Sequence, residues 1–499
     1  MNRSTWSCVL MFFLCLPFMT GMTGVSYAQD NIMSDDSITG AVERALRRDG
    51  VVPVDTIRVQ TKEGIVNLTG SVSNILARDR SVYIAELVKG VRAVNSRLNV
   101  RPSEMRTDEQ IARAIQDALQ ADPVVPADSV QASSTNGTVT LNGAVRSFAI
   151  KQIAENVAKG VRGVLDVKNY MSVMYQPERT DNQIHGEIEH RLRWDALVND
   201  GQIHVAVKAG RVDLSGSVGS AAEKRQARWD AWVKGVREVD DSALEVKWYL
   251  KNDDLRSKYV LRSNEEIQKA IEDAVAFDPR IASGKITPTV EDGIVTLRGT
   301  VSNLAARKAV EAIAKSTVGV TGVNNSIEIQ LREPIADSDI EDAIRSGINE
   351  NPYTSQSNIA VSVYDGMVDL GGRVASTFQK AEAGRIVSRA QGVRSVDNEL
   401  QVIDVERSPE ASLHFDWYTP MISPPDRPLD DQELHDRIKD QLWWSPFVND
   451  EHVIVKVFNG TVTLSGTVDT WRAYQAAQES ARGSGAKKVI NRLRVKEYG

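Results

Sequence analysis

Apolar residues along the chain follow two alternating periods. Ile38, Val42, Ala45 and Leu46 recur at helical spacing, and Val66, Leu68, Gly70 and Val72 alternate with their neighbours as one face of a strand does. The pair of patterns is written six times. Its clearest part is Gly-x-Val-x-Leu-x-Gly-x-Val, which runs Gly64–Val72, Gly137–Val145, Gly210–Val218, Gly293–Val301, Gly366–Val374 and Gly460–Val468. The second glycines fall at 70, 143, 216, 299, 372 and 466, so successive copies are 73, 73, 83, 73 and 94 residues apart. Self-similarity at a fixed period decides architecture before any single residue does.

Each copy predicts helix, strand, strand, helix, strand. In the first, Asp36-Ser37 offers capping side chains, Val51-Val52-Pro53 breaks the helix because proline has no amide donor, and Ile57 opens a strand. The second copy repeats the opening with Thr107, Ile111, Ile115 and Leu119, and the fourth with Ser263, Ile267, Ile271 and Val275. Glu63-Gly64, Asn136-Gly137, Asp292-Gly293, Asp365-Gly366 and Asn459-Gly460 mark tight hairpins, in which both turn positions favour positive φ. A second helix follows and is stopped at Gly90, Gly163, Gly235, Gly319, Gly392 and Gly485, ahead of a last strand such as that carrying Leu98 and Val100.

Glycine weakens a strand, so Gly70, Gly143, Gly216, Gly299, Gly372 and Gly466 imply a structural demand; the expectation is close approach of a helix across the sheet. The predicted fold class is α+β, a tandem array of small αββαβ domains, each a three-stranded mixed sheet with two helices on one face. The expected domains are 35–101, 107–175, 180–248, 263–331, 337–404 and 430–497. Linkers fall at 249–262 and at 405–429, the second rich in proline and aromatic residues.

The hairpin glycine, the Val-x-Leu-x-Gly-x-Val strand and the Gly-Val after the second helix together resemble the BON family, a small domain of bacterial osmotically induced periplasmic and nodulation-related proteins. The resemblance spans nearly all of the chain after its leader, as six copies. The sixth departs where Gly485-Ala486 replaces Gly-Val, and the third has one extra residue between Gly235 and its last strand. The resemblance implies a periplasmic αββαβ module tied to phospholipid or membrane binding and to envelope integrity, without catalysis.

The ends and the composition narrow this further. Arg3, the apolar run Cys8–Met19 and the small residues of Ser26-Tyr27-Ala28 read as a signal peptide at 1–28, cleaved after Ala28 to release a periplasmic protein. Both cysteines, Cys8 and Cys15, lie in that leader, so the mature chain offers no disulfide and no thiolate. A net charge of −7 over 499 residues argues against a nucleic-acid partner.

A chemistry common to all copies must use residues present in all copies. The six histidines, His185, His190, His204, His414, His435 and His452, are absent from four of the repeats. Phosphate-loop, nucleophile-elbow and His-Glu-x-x-His patterns are missing, so no catalytic residue, metal or cofactor is expected. A basic residue does recur at the start of the second helix: Arg78, Lys151, Lys224, Arg307 and Lys380, with Arg472 two positions early. A cation there opposes the helix dipole. Two partners for it are open: a carboxylate on a neighbouring element, or an external anion such as a lipid phosphate. Trp229, Trp232, Phe415, Trp417, Tyr418, Trp443 and Trp444 are candidate aromatic contacts, with core packing as the alternative.

Residues 35–101 hold 11 basic and 8 acidic side chains, which makes the first repeat the best suited on charge to an anionic surface. The sequence therefore predicts a non-catalytic periplasmic protein that binds phospholipid or the membrane surface and supports the envelope or osmotic-stress tolerance. The alternative is a multivalent adaptor or chaperone-like scaffold for envelope or secreted proteins.

Overall fold

The computed structural model describes residues 33–49, 51–102, 104–174, 179–248, 262–281, 285–331, 334–402, 429–445 and 447–496. The expected signal peptide and cleavage position, nearly all of both expected linkers, and Phe415, Trp417 and Tyr418 lie outside the described residues.

Each repeat folds as helix, strand, strand, helix, strand. The first helices are Asp35–Asp49, Asp108–Ala121, Asp181–Trp194, Asn264–Phe277, Asp337–Glu350 and Asp431–Trp444. The second helices are Ile75–Glu86, Phe148–Lys159, Ala221–Asp230, Leu304–Ser316, Thr377–Arg389 and Trp471–Gly483. Thr107 and Ser263 cap as expected, each in a reciprocal box with a residue three positions on. In the first repeat the cap lies two residues before Asp36: Ser34 Oγ accepts from the Ser37 amide at 3.2 Å.

The motif strand is central in every sheet. In the first repeat Ile65–Val72 pairs antiparallel with Ile57–Lys62 and parallel with Ala93–Val100, so Gly70 faces both Ile57 and Leu98. The last strand is split in two in the second and fifth repeats. Val66, Leu68 and Val72 are buried under the two helices with Ile38, Val42, Leu46 and Ile84. Equivalent cores recur in the other repeats. The strand face away from the helices is exposed.

The in-strand glycines answer a different demand from the one expected. Gly70 has φ 120°, and a Cβ there would lie 2.0 Å from the Thr56 carbonyl oxygen, in the short turn just before the first strand. The neighbour is backbone at the strand's own edge, not a helix crossing the sheet.

The repeats pack as one compact unit, and the contacts between them follow two rules. The second helices of the first three repeats meet head to tail. Lys159 reaches Asp79 at 2.7 Å, Phe148 stacks on Trp232 with centroids 3.6 Å apart, and Arg225 pairs with Glu86 and covers Tyr83, which returns to the first repeat. In the second trio Lys308 of the fourth repeat donates to Ser388 Oγ of the fifth at 2.5 Å, at the positions that Asp79 and Lys159 occupy in the first trio. The second helices of the fourth and sixth repeats also pack together.

The second rule joins the trios. The residue just before the positive-φ glycine donates its amide to the last carbonyl of another repeat's first helix. Lys89 donates to Trp444 at 3.3 Å, Arg162 to Glu350 at 2.8 Å and Val318 to Trp194 at 3.0 Å. The first repeat is thereby set on the sixth, the second on the fifth and the fourth on the third. Terminal helix carbonyls have no partner within their own helix, and these contacts give three of them one.

Candidate functional site

Five of the six recurrent cations sit against protein groups, and the other, Lys380, is half-buried with its backbone carbonyl engaged. Lys151 Nζ donates to the Met171 carbonyl at 2.7 Å and Lys224 Nζ to the Leu244 carbonyl at 2.7 Å, while Arg307 lies 3.5 Å from the Asn325 carbonyl. Each ties the second helix to the last strand of its own repeat. Asn169, Asn325 and Asn398 return the contact, their amides donating to the carbonyls of Lys151, Arg307 and Lys380. Burial draws the Lys151 ammonium below its ordinary pKa against the pull of Glu155. Arg78 pairs instead across a repeat boundary, with Asp166 at 3.1 Å. Arg472 lies over the Phe447 ring at 5.1 Å.

The aromatic candidates divide in the same way. Trp232 and Trp229 both meet Phe148 of the second repeat, at 3.6 and 6.5 Å between centroids. Trp443 packs edge-on to Trp444 and carries Lys89 Nζ 4.9 Å above its ring, and Trp444 Nε1 donates to Asp440 at 3.1 Å. These rings line contacts between repeats. A cavity of about 2050 Å³ opens among Phe148, Trp229, His190, Trp194 and Lys315. Acids and bases on its walls pair with each other, as Glu187 with Arg191 and Asp278 with Arg280.

A second recurrent polar column is occupied too. Asp35 accepts from the amides of Glu63 and Gly64 at 2.8 and 2.9 Å, and Asp108, Asp181, Asp337 and Asp431 repeat the pair of bonds to their own hairpin turns. The Gly137 amide, with Ser134 and the Asn136 amide, holds the Asp108 carboxyl below its usual range. Each of these acids stands 29 residues before a hairpin glycine, a long-range spacing that helix and strand periodicity do not mark. Among the described residues no group of three His, Cys, Asp or Glu could hold a metal ion, and no helix is long and apolar enough to cross a membrane.

What remains outward is the sheet face of each repeat, and the six faces differ in charge. The strands of the first repeat carry Arg58, Lys62 and Arg97 and no acid. Those of the sixth carry Lys456, Lys488, Arg492 and Arg494 and no acid. All seven cations are exposed. The third repeat is the opposite, with Asp213, Glu238, Asp240, Asp241 and Glu245 against Lys208 and Arg211. The second and fourth balance, and the fifth carries Asp369 and Asp397 against Arg373. The sixth face also presents Ile454 and Phe458, which are 55% and 74% exposed. Whole-repeat charge missed it: residues 430–497 hold ten basic and ten acidic side chains, and only sorting them by element leaves the strands purely basic.

The BON domain model matches six stretches of the chain, residues 34–102, 107–175, 180–247, 263–330, 336–404 and 430–497. The chain belongs to the BON family. A BON relative, osmotically-inducible protein Y of Escherichia coli K12, is 34% identical over 145 residues, covering 28% of this chain and 72% of the relative. The outer membrane lipoprotein DolP of Haemophilus influenzae is 28% identical over 137 residues, covering 26% of this chain and 71% of its own length. Among solved structures, the C-terminal domain of CdsD, the structural protein of the type III secretion system of Chlamydia trachomatis, matches 43% of the chain at 16% identity with a TM-score of 0.12.

Proposed function

We infer that this BON-repeat protein is a non-catalytic protein of the periplasm that associates with phospholipid at a membrane surface and supports the envelope. One observation carries the reading. Helices, five of the six recurrent cations and most of the tryptophans are engaged inside or between repeats, so the exposed sheet faces are what the repeats chiefly offer to a partner. Two of those faces are basic, and one adds large apolar side chains to its cations, a combination suited to a charged, amphipathic interface. The outer-membrane and osmotic descriptions of the two relatives support the same reading.

The test is co-sedimentation of the purified mature protein with vesicles of phosphatidylglycerol in phosphatidylethanolamine, at low and high salt. Retention at low salt that weakens as salt rises is the expected result, because exposed charges are screened within about 10 Å at 0.1 M. No retention on any vesicle at low salt sinks the reading.

A further inference from the structure

We propose that the protein meets an anionic bilayer through the open sheet faces of two neighbouring repeats, the first and the sixth. The proposal rests on the phospholipid reading above and adds which residues make the contact.

Three observations support it. The first is sign. Seven exposed cations and no acid stand on the strands of these two repeats, and none of the seven forms an ion pair with another described residue. The second is position. The chain's first and last repeats are neighbours, joined by the Lys89 amide on the Trp444 carbonyl at 3.3 Å and by Arg48 with Asp440 at 3.0 Å. The two basic repeats, far apart in sequence, are therefore direct neighbours, while the acidic third repeat sits against the fourth and touches the first through Arg225 with Glu86 and Tyr83. Cations of one sign on neighbouring repeats add to a local field that draws the molecule toward a negative surface.

The third observation is chemical. Ile454 and Phe458 alternate with Lys456 on one strand, so apolar side chains and a cation emerge side by side. A bilayer surface accepts both, the rings and branched chains among the acyl chains and the ammonium groups at the phosphates. A soluble anion would use the cations alone.

The experiment compares charge-reversed full-length mature proteins on vesicles of phosphatidylglycerol in phosphatidylethanolamine. The pairs are Arg58→Glu with Arg97→Glu, Lys456→Glu with Arg492→Glu, and, as a control face, Arg373→Glu alone; Phe458→Ser tests the apolar part. Thermal melts establish that each variant is folded, which exposed positions favour. Near an anionic surface each cation contributes about fivefold in partition, so either basic-face pair lowers binding by at least about tenfold. Arg373→Glu leaves binding within about twofold, and Phe458→Ser weakens it at high salt more than at low. Wild-type binding that both basic-face pairs retain overturns the proposal while leaving the phospholipid reading in place. Absence of wild-type binding removes the reading itself.

Discussion

The Arg80 guanidinium lies 4.9 Å from the centroid of the Phe378 ring, so a cation of the first repeat rests on an aromatic face of the fifth. Arg80 is held from behind by Asp49, with Nε at 2.8 Å from one carboxylate oxygen and 2.9 Å from the other. Their side chains are 5% and 0% exposed. Arg80→Met removes the cation that binds the buried Asp49 carboxylate through both oxygens and is expected to cost about 3–5 kcal/mol in chemical denaturation. A double-mutant cycle with Phe378→Leu should give a coupling of about 0.5–2 kcal/mol. A cycle that closes at zero shows that the two repeats do not stabilise each other through this contact.

The equivalent pair in the fifth repeat sets a pH dependence. The buried Glu382 carboxylate accepts from Asn351 Nδ2 at 2.7 Å and from Arg385 at 2.6 and 2.7 Å. Burial alone raises its pKa, but Arg385, with Asn351 and Arg389, brings it below the ordinary carboxylate value. A lowered folded-state pKa stabilises the fold above the unfolded value, and that stabilisation is lost as pH falls through the folded one. Glu382→Gln should therefore destabilise at neutral pH, and the gap to wild type should narrow in the acid range. Unfolding free energy measured against pH decides it; a gap that is constant with pH contradicts the assignment.

Two adjacent glycines of the fifth repeat make a paired test. Gly372 has φ 113°, and a Cβ there would lie 2.2 Å from the Asn358 carbonyl oxygen, whereas a Cβ on Gly371 meets nothing within 4 Å. Gly372→Ala is expected to cost more than about 2 kcal/mol. Gly371→Ala should be neutral or stabilising by up to about 1 kcal/mol, since it removes unfolded-state freedom without strain. Thermal unfolding of the two variants distinguishes them, and equal melting temperatures count against the geometry.

The fold of one repeat was legible because its signals are local. Hairpin pairs such as Asn136-Gly137, the Thr107 box and the alternation around Leu68 each act within a few residues. The cations were legible as a column but not in role, because Lys151 binds a carbonyl at Met171 that no side-chain pattern marks. The arrangement of repeats was hidden for the same reason. Lys89, Arg162 and Val318 share no side chain, and what they share is an amide placed by the glycine that follows. The basic sixth face was hidden by averaging over helices that carry the balancing acids.

The contact of the first repeat with the sixth is open to a direct check, since the only cysteines of the chain, Cys8 and Cys15, precede the first repeat. Lys89→Cys combined with Trp443→Cys should be joined by a short bis-maleimide in purified protein lacking residues 1–28, and proteolysis between repeats should then leave the two ends linked. Dilution does not weaken an intramolecular link. A crosslink that disappears on dilution, or forms only between molecules, contradicts the contact.

Stacked solenoid repeats touch only their sequence neighbours, and their number can grow or shrink by insertion at an end. The three amide-to-carbonyl contacts exclude that freedom here. Each uses one repeat as donor and another as acceptor, and the three together engage all six repeats once. A duplicated copy would enter a set of repeats already paired two by two, and a deleted copy would strand its partner. Copy number in this body is set by closure, as subunit number is in a ring, and a single continuous chain behaves as an assembly of fixed stoichiometry.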